Sequence, residues 1–282
     1  MLDFDQLFNK IKDISPLARS VFSGQNNDGE SRGFAAIDDT SMSNLNWKRV
    51  ESKKQNTVHQ IDRVDNYNGL SVPLMRFRAS LSGPCVGEYF GRFIMDLEAR
   101  KTWDAQIAHV DELYPIDHKD LDNANIAMGF GRQYGDLTRM GIGYAQTKAA
   151  VGITSREQMF SYGLQDFADG SCVIWGQEMD ERHNNLLPQG QRHTRSKSHI
   201  FSATMTPTSH DSFDVEYLLQ LDIGGQIPLW LTTPIMIDTV KNLFKVAKDE
   251  FSGIGGNLQA FLSEKANQCL VTDRQSLLMT PC

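Results

Sequence analysis

"LDIGGQIPLWLTTPIMIDTVKNLFKVAKDEF", Leu221–Phe251, is the stretch whose reading decides the fold. It begins like a strand, breaks at Gly224 and Gly225, and passes through Pro228 into a long helical pattern. Met236, Val240, Leu243, Phe244, Ala247 and Phe251 fall on one stripe of that helix, at the spacing that buries one face. Glycine lets a chain turn sharply off a sheet, and proline suits a helix start. The stretch therefore predicts a sheet that ends here and an apolar helix laid across it.

Four strand-like runs bear on that sheet: Glu157 to Leu164, Cys172 to Met179, Ser196 to Met205 and Phe213 to Asp222. Ala168 to Gly170 reads as a hairpin turn between the first two, and Thr206 to Ser212 joins the last two. Successive hairpins mean antiparallel pairing. Upstream, Trp47 to Ser82 is strand-like. Within it Leu74, Arg76 and Arg78 alternate with Met75, Phe77 and Ala79, the period of a strand with two distinct faces. Val86, Phe90, Phe93, Ile94 and Leu97 then repeat at helical spacing behind Pro84. His109 to Ile116 is strand-like again. Asp117 to Gly141 is polar, glycine-bearing and long for a plain loop; it reads as a short helix, Leu121 to Met128, or as a mobile insertion.

The chain divides into residues 1–43, an amphipathic N-terminal helix and a polar linker; residues 44–252, the main domain; and residues 253–282, a tail read as a second short helix or as disordered. Strands and helices do not alternate as βαβ, so the fold class is α+β, a curved antiparallel sheet wrapped around a long C-terminal helix. Tyr162, Gly176, Ala203 and Tyr217 are the inward-facing candidates. Small and aromatic residues there hint at a hydrophobic tunnel.

With 282 residues, 40% hydrophobic, the chain can bury a sizeable core. A net charge of -7 with no strong basic cluster argues against a nucleic-acid partner. The one basic stretch, "QGQRHTRSKSH" (Gln189 to His199), reads as a solvated segment or as a weak contact for anionic headgroups. Four scattered cysteines without a CxxC pair predict neither disulfides nor zinc and fit a reducing, cytoplasmic setting. The N-terminus lacks a signal peptide's basic-then-apolar order. The histidines show no HxxxH spacing, and no GxSxG, P-loop or strand-linked GxGxxG occurs. No catalytic residue, metal or cofactor is expected.

"EARKTWDAQI" (Glu98 to Ile107), "GITSREQMFSYGLQDFADGSCVIWGQEM" (Gly152 to Met179), "TRSKSHIFSATMTP" and "LDIGGQIPLWLTTPIMIDTVKNLF" follow one another in an order and spacing that resembles the StAR-related lipid transfer (START) domains. The resemblance spans about Trp47 to Ser252. It implies a helix-grip fold and a protein that binds one lipid in an internal tunnel and moves it between membranes, with transient membrane contact. Met236, Val240, Leu243, Phe244 and Ala247 would line the tunnel roof, and the helix would be its gate. Trp103 and Asp104 would be structural, as core filler and helix-end partner. Gly152, Arg156 and Pro228 would belong to the lid, with Arg156 pairing with a neighbouring acid.

Sterol-type members carry a tunnel arginine at the position of Tyr162, opposite an acid on the preceding strand. The matching stretch here, Gly143 to Ala150, has no acid, so that ion pair is missing. Tyr162 and Tyr217 are each read as packing or as ligand contact, and Phe160 and Trp175 are counted with the ligand-binding candidates. Arg76 and Arg78 are read as a headgroup clamp or as outer-face residues. Trp230 is read as a membrane-dipping ring or a half-buried corner. The ligand stays open among sterol, phospholipid and carotenoid-like lipids. The alternatives are an enzyme of the same fold, cyclase- or hydrolase-like, and a lipid-sensing interaction module.

Overall fold

The computed structural model describes residues 4–23, 45–52, 58–116, 121, 135–149, 152–188, 193–225, 227–253 and 256–278. One large sheet organises them. Its strands are β1 (Lys48–Ser52), β2 (Val58–Val64), β3 (Leu74–Ser82), β4 (Ile107–Pro115), β5 (Asp136–Thr147), β6 (Arg156–Asp166), β7 (Cys172–Glu178), β8 (Thr194–Arg195), β9 (Lys197–Ser209) and β10 (Ser212–Asp222). Their spatial order is β1-β2-β3-β10-β9-β7-β6-β5-β4, and β8 adds to β6 in parallel. Every other pairing is antiparallel. The architecture is α+β, as the sequence predicts.

Because side chains alternate along a strand, each face has its own population. The inner face carries Met75, Phe77 and Ala79 of β3, Val215 and Tyr217 of β10, and Ala203 and Met205 of β9. Against it lie α3 (Gly87–Met95), α4 (Leu97–Trp103) and the long α5 (Leu229–Phe251). Gly224 and Gly225 have φ of 72° and 79°, and a side chain on Gly224 would lie 2.5 Å from the Arg195 carbonyl. Only glycine turns the chain off β10 there. Asp96 begins α4 by accepting bonds from the Glu98 and Ala99 amides, a conventional N-cap.

The outer face is covered by the N-terminal helices α1 (Phe4–Ile14) and α2 (Pro16–Ser23). Phe4 and Phe8 pack edge-on against Trp175, with centroids 5.6 and 6.3 Å away. Ile14 packs with Leu74, Ile200 and Leu218. The N-terminal segment expected beside the domain is thus two helices seated on the sheet. The expected linker lies outside the described residues from position 24.

Two other expectations change. The polar stretch after β4 gives up its last residues to β5, which starts at Asp136; of the expected helix Leu121 to Met128, only Leu121 is described. The tail is helical: α6 (Asn257–Leu278) folds back so that Leu258 is fully buried and Phe261 meets Tyr89 at 5.2 Å. Among the described residues, no helix is long and apolar enough to cross a membrane.

Candidate functional site

The helix α5 has two halves. Its rear half, Leu243, Phe244, Ala247 and Phe251, is sealed in the core. Phe251 meets Phe213 and Phe90 with centroids 5.0 and 5.8 Å away. Its front half, Thr232, Ile235, Met236, Thr239 and Val240, borders a cavity of about 210 Å³. Phe160, Phe201, Leu219 and Leu221 form much of the sheet-side wall, and Ile94, Met95 and Trp103 close it from α3 and α4.

Glycines and aromatic rings shape the inner face of the sheet. The Phe160 ring lies over Gly143, the Tyr162 ring over Gly141 and the Phe201 ring over Gly176, each within 3 Å of where a Cβ would stand. Glycine at these positions lets the rings lie flat on neighbouring strands, so β5 and β7 must be bare there.

The charged groups of the lining are spent on the protein itself. Arg156 donates from Nε to the Ile223 carbonyl, from Nη1 to the Thr154 carbonyl and hydroxyl, and from Nη2 to the Gly224 carbonyl. It pins the turn at the base of α5 through carbonyls, where an acid was expected as its partner. Asp104 accepts from Arg100 Nη2 at 3.1 Å and from the Gln106 amide. Trp103 donates its indole N–H to the Phe93 carbonyl. Both therefore hold α4 in place, while also facing the cavity.

Tyr217 differs from these groups. Its ring is held edge-on by Phe77, Phe201 and Phe244, with centroids 6.2, 5.4 and 6.3 Å away. The residue is 7% exposed and lines the cavity. No hydrogen bond reaches its hydroxyl from any described residue. Burial drives its pKa up; the Arg100 charge opposes the rise and Asp104 adds to it. It is therefore a protonated donor at neutral pH.

Of the sequence-predicted ligand residues, the structure brings Phe160, Tyr217, Met236 and Val240 to the cavity. Leu243, Phe244 and Ala247 are solid core, because the stripe they share with Met236 runs past the end of the void. Tyr162 shares the inner face but lies beyond the cavity; its hydroxyl donates to Glu112 of β4, and Arg139 stands over its ring, 5.9 Å from the centroid. Trp175 lies on the opposite face under α1, donating to Gln165 Oε1. Arg76 and Arg78 also lie on that face, paired with Asp62 at 2.9 Å and Glu216 at 2.7 Å. Gly152 sits in a turn with φ 76°, and Pro228 immediately precedes α5. Sequence reasoning missed Phe201, Thr232 and Arg100, the partner of Asp104. Phe201 was recoverable, being two residues from Ala203 and so on the same face. Among the described residues no cluster of His, Cys, Asp and Glu is arranged to hold a metal ion.

No family model matches the sequence, and comparison with curated proteins returns no match. Solved structures do match. The human StAR-related lipid transfer protein 5 aligns at a TM-score of 0.56 and 10% identity, over 89% of this chain and 100% of that one. Human STARD10 aligns at 0.54 and 14%, over 72% and 73%. A StAR-related lipid transfer protein fragment from Xanthomonas axonopodis aligns at 0.51 and 15%, over 73% and 98%. This chain carries the helix-grip fold of START domains. Within that fold the cavity described above lies between the sheet and the C-terminal helix α5, and the helices α1 and α2 sit on the sheet's other face.

Proposed function

We propose that this START-like domain binds one hydrophobic molecule non-covalently between its sheet and α5, and carries it between membranes through the cytoplasm. The observation that carries the reading is the mainly apolar cavity bordered by the front half of α5. Burying an apolar ligand there is favourable by about 25 cal/mol per Å². The charged groups of the lining are all committed to protein partners, which suits holding a lipid better than transforming one. Two of the structures it resembles are named as lipid transfer proteins, which fits the same reading.

The mouth has features suited to a membrane surface. Leu229 and Trp230 at the start of α5 are 38% and 75% exposed. The next turn, Thr232 to Met236, lines the cavity. Pro234 lies inside the helix and has no N–H to donate to the Trp230 carbonyl. The first turn is therefore tied less firmly to the rest of α5, and its movement opens the cavity. An exposed tryptophan ring favours the membrane interface, so membrane contact and opening are coupled in this reading.

The test is native mass spectrometry of the purified chain, followed by extraction and lipid analysis. A stoichiometric bound lipid, and uptake of lipid from vesicles by the stripped protein, are expected. A protein that arrives empty and takes up nothing from a mixed lipid extract overturns the reading.

A further inference from the structure

We propose that the cavity selects a compact neutral lipid with a single hydroxyl or carbonyl group, anchored by a hydrogen bond to the Tyr217 hydroxyl, over phospholipids. The inference deepens the carrier reading and rests on it.

Tyr217 is the first ground. Buried polar groups are almost always hydrogen-bonded, yet this hydroxyl, on a residue 7% exposed, has no bond to any described residue. Three aromatic rings fix its direction. A group held rigidly and left unpaired at a cavity wall is preorganised for a partner, and one hydroxyl can satisfy one such partner.

Charge is the second ground. The negative charge of a phosphate in a cavity of this kind needs a cation beside it. Arg100 is committed to Asp104 through both Nε and Nη2, at 3.3 and 3.1 Å. Arg156 is committed to backbone carbonyls and Thr154. Lys148 donates to the Ala105 carbonyl at 3.0 Å. Every cation on the described lining therefore already has a partner, and Asp104 repels a phosphate.

Size is the third. A water needs about 10–15 Å³ of such space, so 210 Å³ takes roughly 14–21 water-sized groups. Two long acyl chains exceed that before a headgroup is added. A branched isoprenoid alcohol of about 21 heavy atoms reaches the top of that range, and a fused-ring alcohol of about 28 overshoots it far less than the roughly 36 carbons of two oleoyl chains.

The experiment offers the full chain vesicles containing cholesterol, cholestane, phytol, phytane and dioleoylphosphatidylcholine, and reads bound lipid by native mass spectrometry. Each alcohol is paired with a hydrocarbon of like framework, one ring-fused and one open. Wild type is expected to take up at least one alcohol in preference to its hydrocarbon and to phosphatidylcholine. Tyr217→Phe, with folding checked by circular dichroism, is expected to lose about two- to tenfold of the preference for alcohol over hydrocarbon, the worth of one hydrogen bond. Phosphatidylcholine binding as well as the alcohols, or a preference unchanged in Tyr217→Phe, overturns this proposal and leaves the carrier reading standing. Wild type that takes up none of the five overturns both.

Discussion

On strand β3 the two faces of the sheet are buried to the same degree and built on opposite rules. On β3, Phe77 is 0% exposed and its neighbour Arg76 is 1% exposed. Phe77 faces α5 among hydrophobic side chains. Arg76 faces outward, bonded to Asp62 and stacked over Trp47 at 4.2 Å. Next to it Arg78 bonds Glu216, whose other oxygen accepts from Ser15, the residue that also caps α2. The outer face thus buries charges in pairs and closes them under α1 and α2. The inner face keeps its buried charges, Asp104 and Arg156, at the cavity end, bonded to Arg100 and to backbone carbonyls, and leaves the Tyr217 hydroxyl without a bond to any described residue. A fold can bury charge permanently where partners are permanent. A face that exchanges a ligand must leave no charge unpaired, because such a charge in the empty state costs several kcal/mol.

The largest effect should come from breaking the outer pairs. Glu216→Ala removes the carboxylate that Arg78 and Ser15 both bond in the interior, a loss of about 3–5 kcal/mol. Chemical denaturation should show it as a fall in midpoint, while lipid bound per folded molecule stays constant. A loss of binding without loss of stability would mean that the two faces are not independent.

A second comparison runs along α5. Phe244→Ala empties sealed core and should cost about 3–5 kcal/mol. Met236→Ala opens onto a void already present, so its cost should fall near the lower end of the 2–5 kcal/mol range, with enlarged lipid uptake. Equal costs at both sites would show that the front half packs as tightly as the rear.

A third tests a half-buried acid on the inner side. Asp166 accepts from the Thr138 hydroxyl at 2.9 Å and has no arginine partner like those of Asp62 and Glu216. Burial raises its pKa; Thr138 and Lys265 oppose the rise, and Glu88 and Asp136 add to it. A raised folded-state pKa means stability that is full below the unfolded value, about 4, and is lost as pH climbs through the folded one. Asp166→Asn should therefore raise Tm at pH 7, leave it nearly unchanged at pH 3, and flatten the slope between. An identical pH profile in the variant would remove Asp166 from the account.

The fold was legible because its decisive signals are local: a six-residue apolar stripe on α5, paired glycines before it, and strands joined by turns. Burial partners were harder. Periodicity marked an N-terminal helix from Phe4, Phe8 and Ile11, but nothing in that period says the helix caps Trp175. Strand β5 was half hidden because Gly141 and Gly143, bare to admit aromatic rings, lower its strand character. Trp175 was within reach of simple alternation. Gly176 faces inward, so its neighbour must face out. The Tyr162–Glu112 contact joins β6 to β4 across β5, and no spacing in the chain encodes it.

The smallest effect on stability should come from the residue with the largest expected effect on transport. Trp230 is 75% exposed and contributes little packing, so Trp230→Ser should shift stability by less than about 0.5 kcal/mol. It nonetheless sits one turn before the cavity lining, on the segment that Pro234 loosens. If that turn enters the membrane interface to open the mouth, the variant keeps its bound lipid and its Tm but moves lipid between vesicles several-fold more slowly. Vesicle flotation should show weaker association in parallel. A normal transfer rate with weakened flotation would separate docking from opening and place the gate elsewhere on α5. A normal rate with normal flotation would leave Trp230 as a bystander, and the membrane would have to be met by another surface.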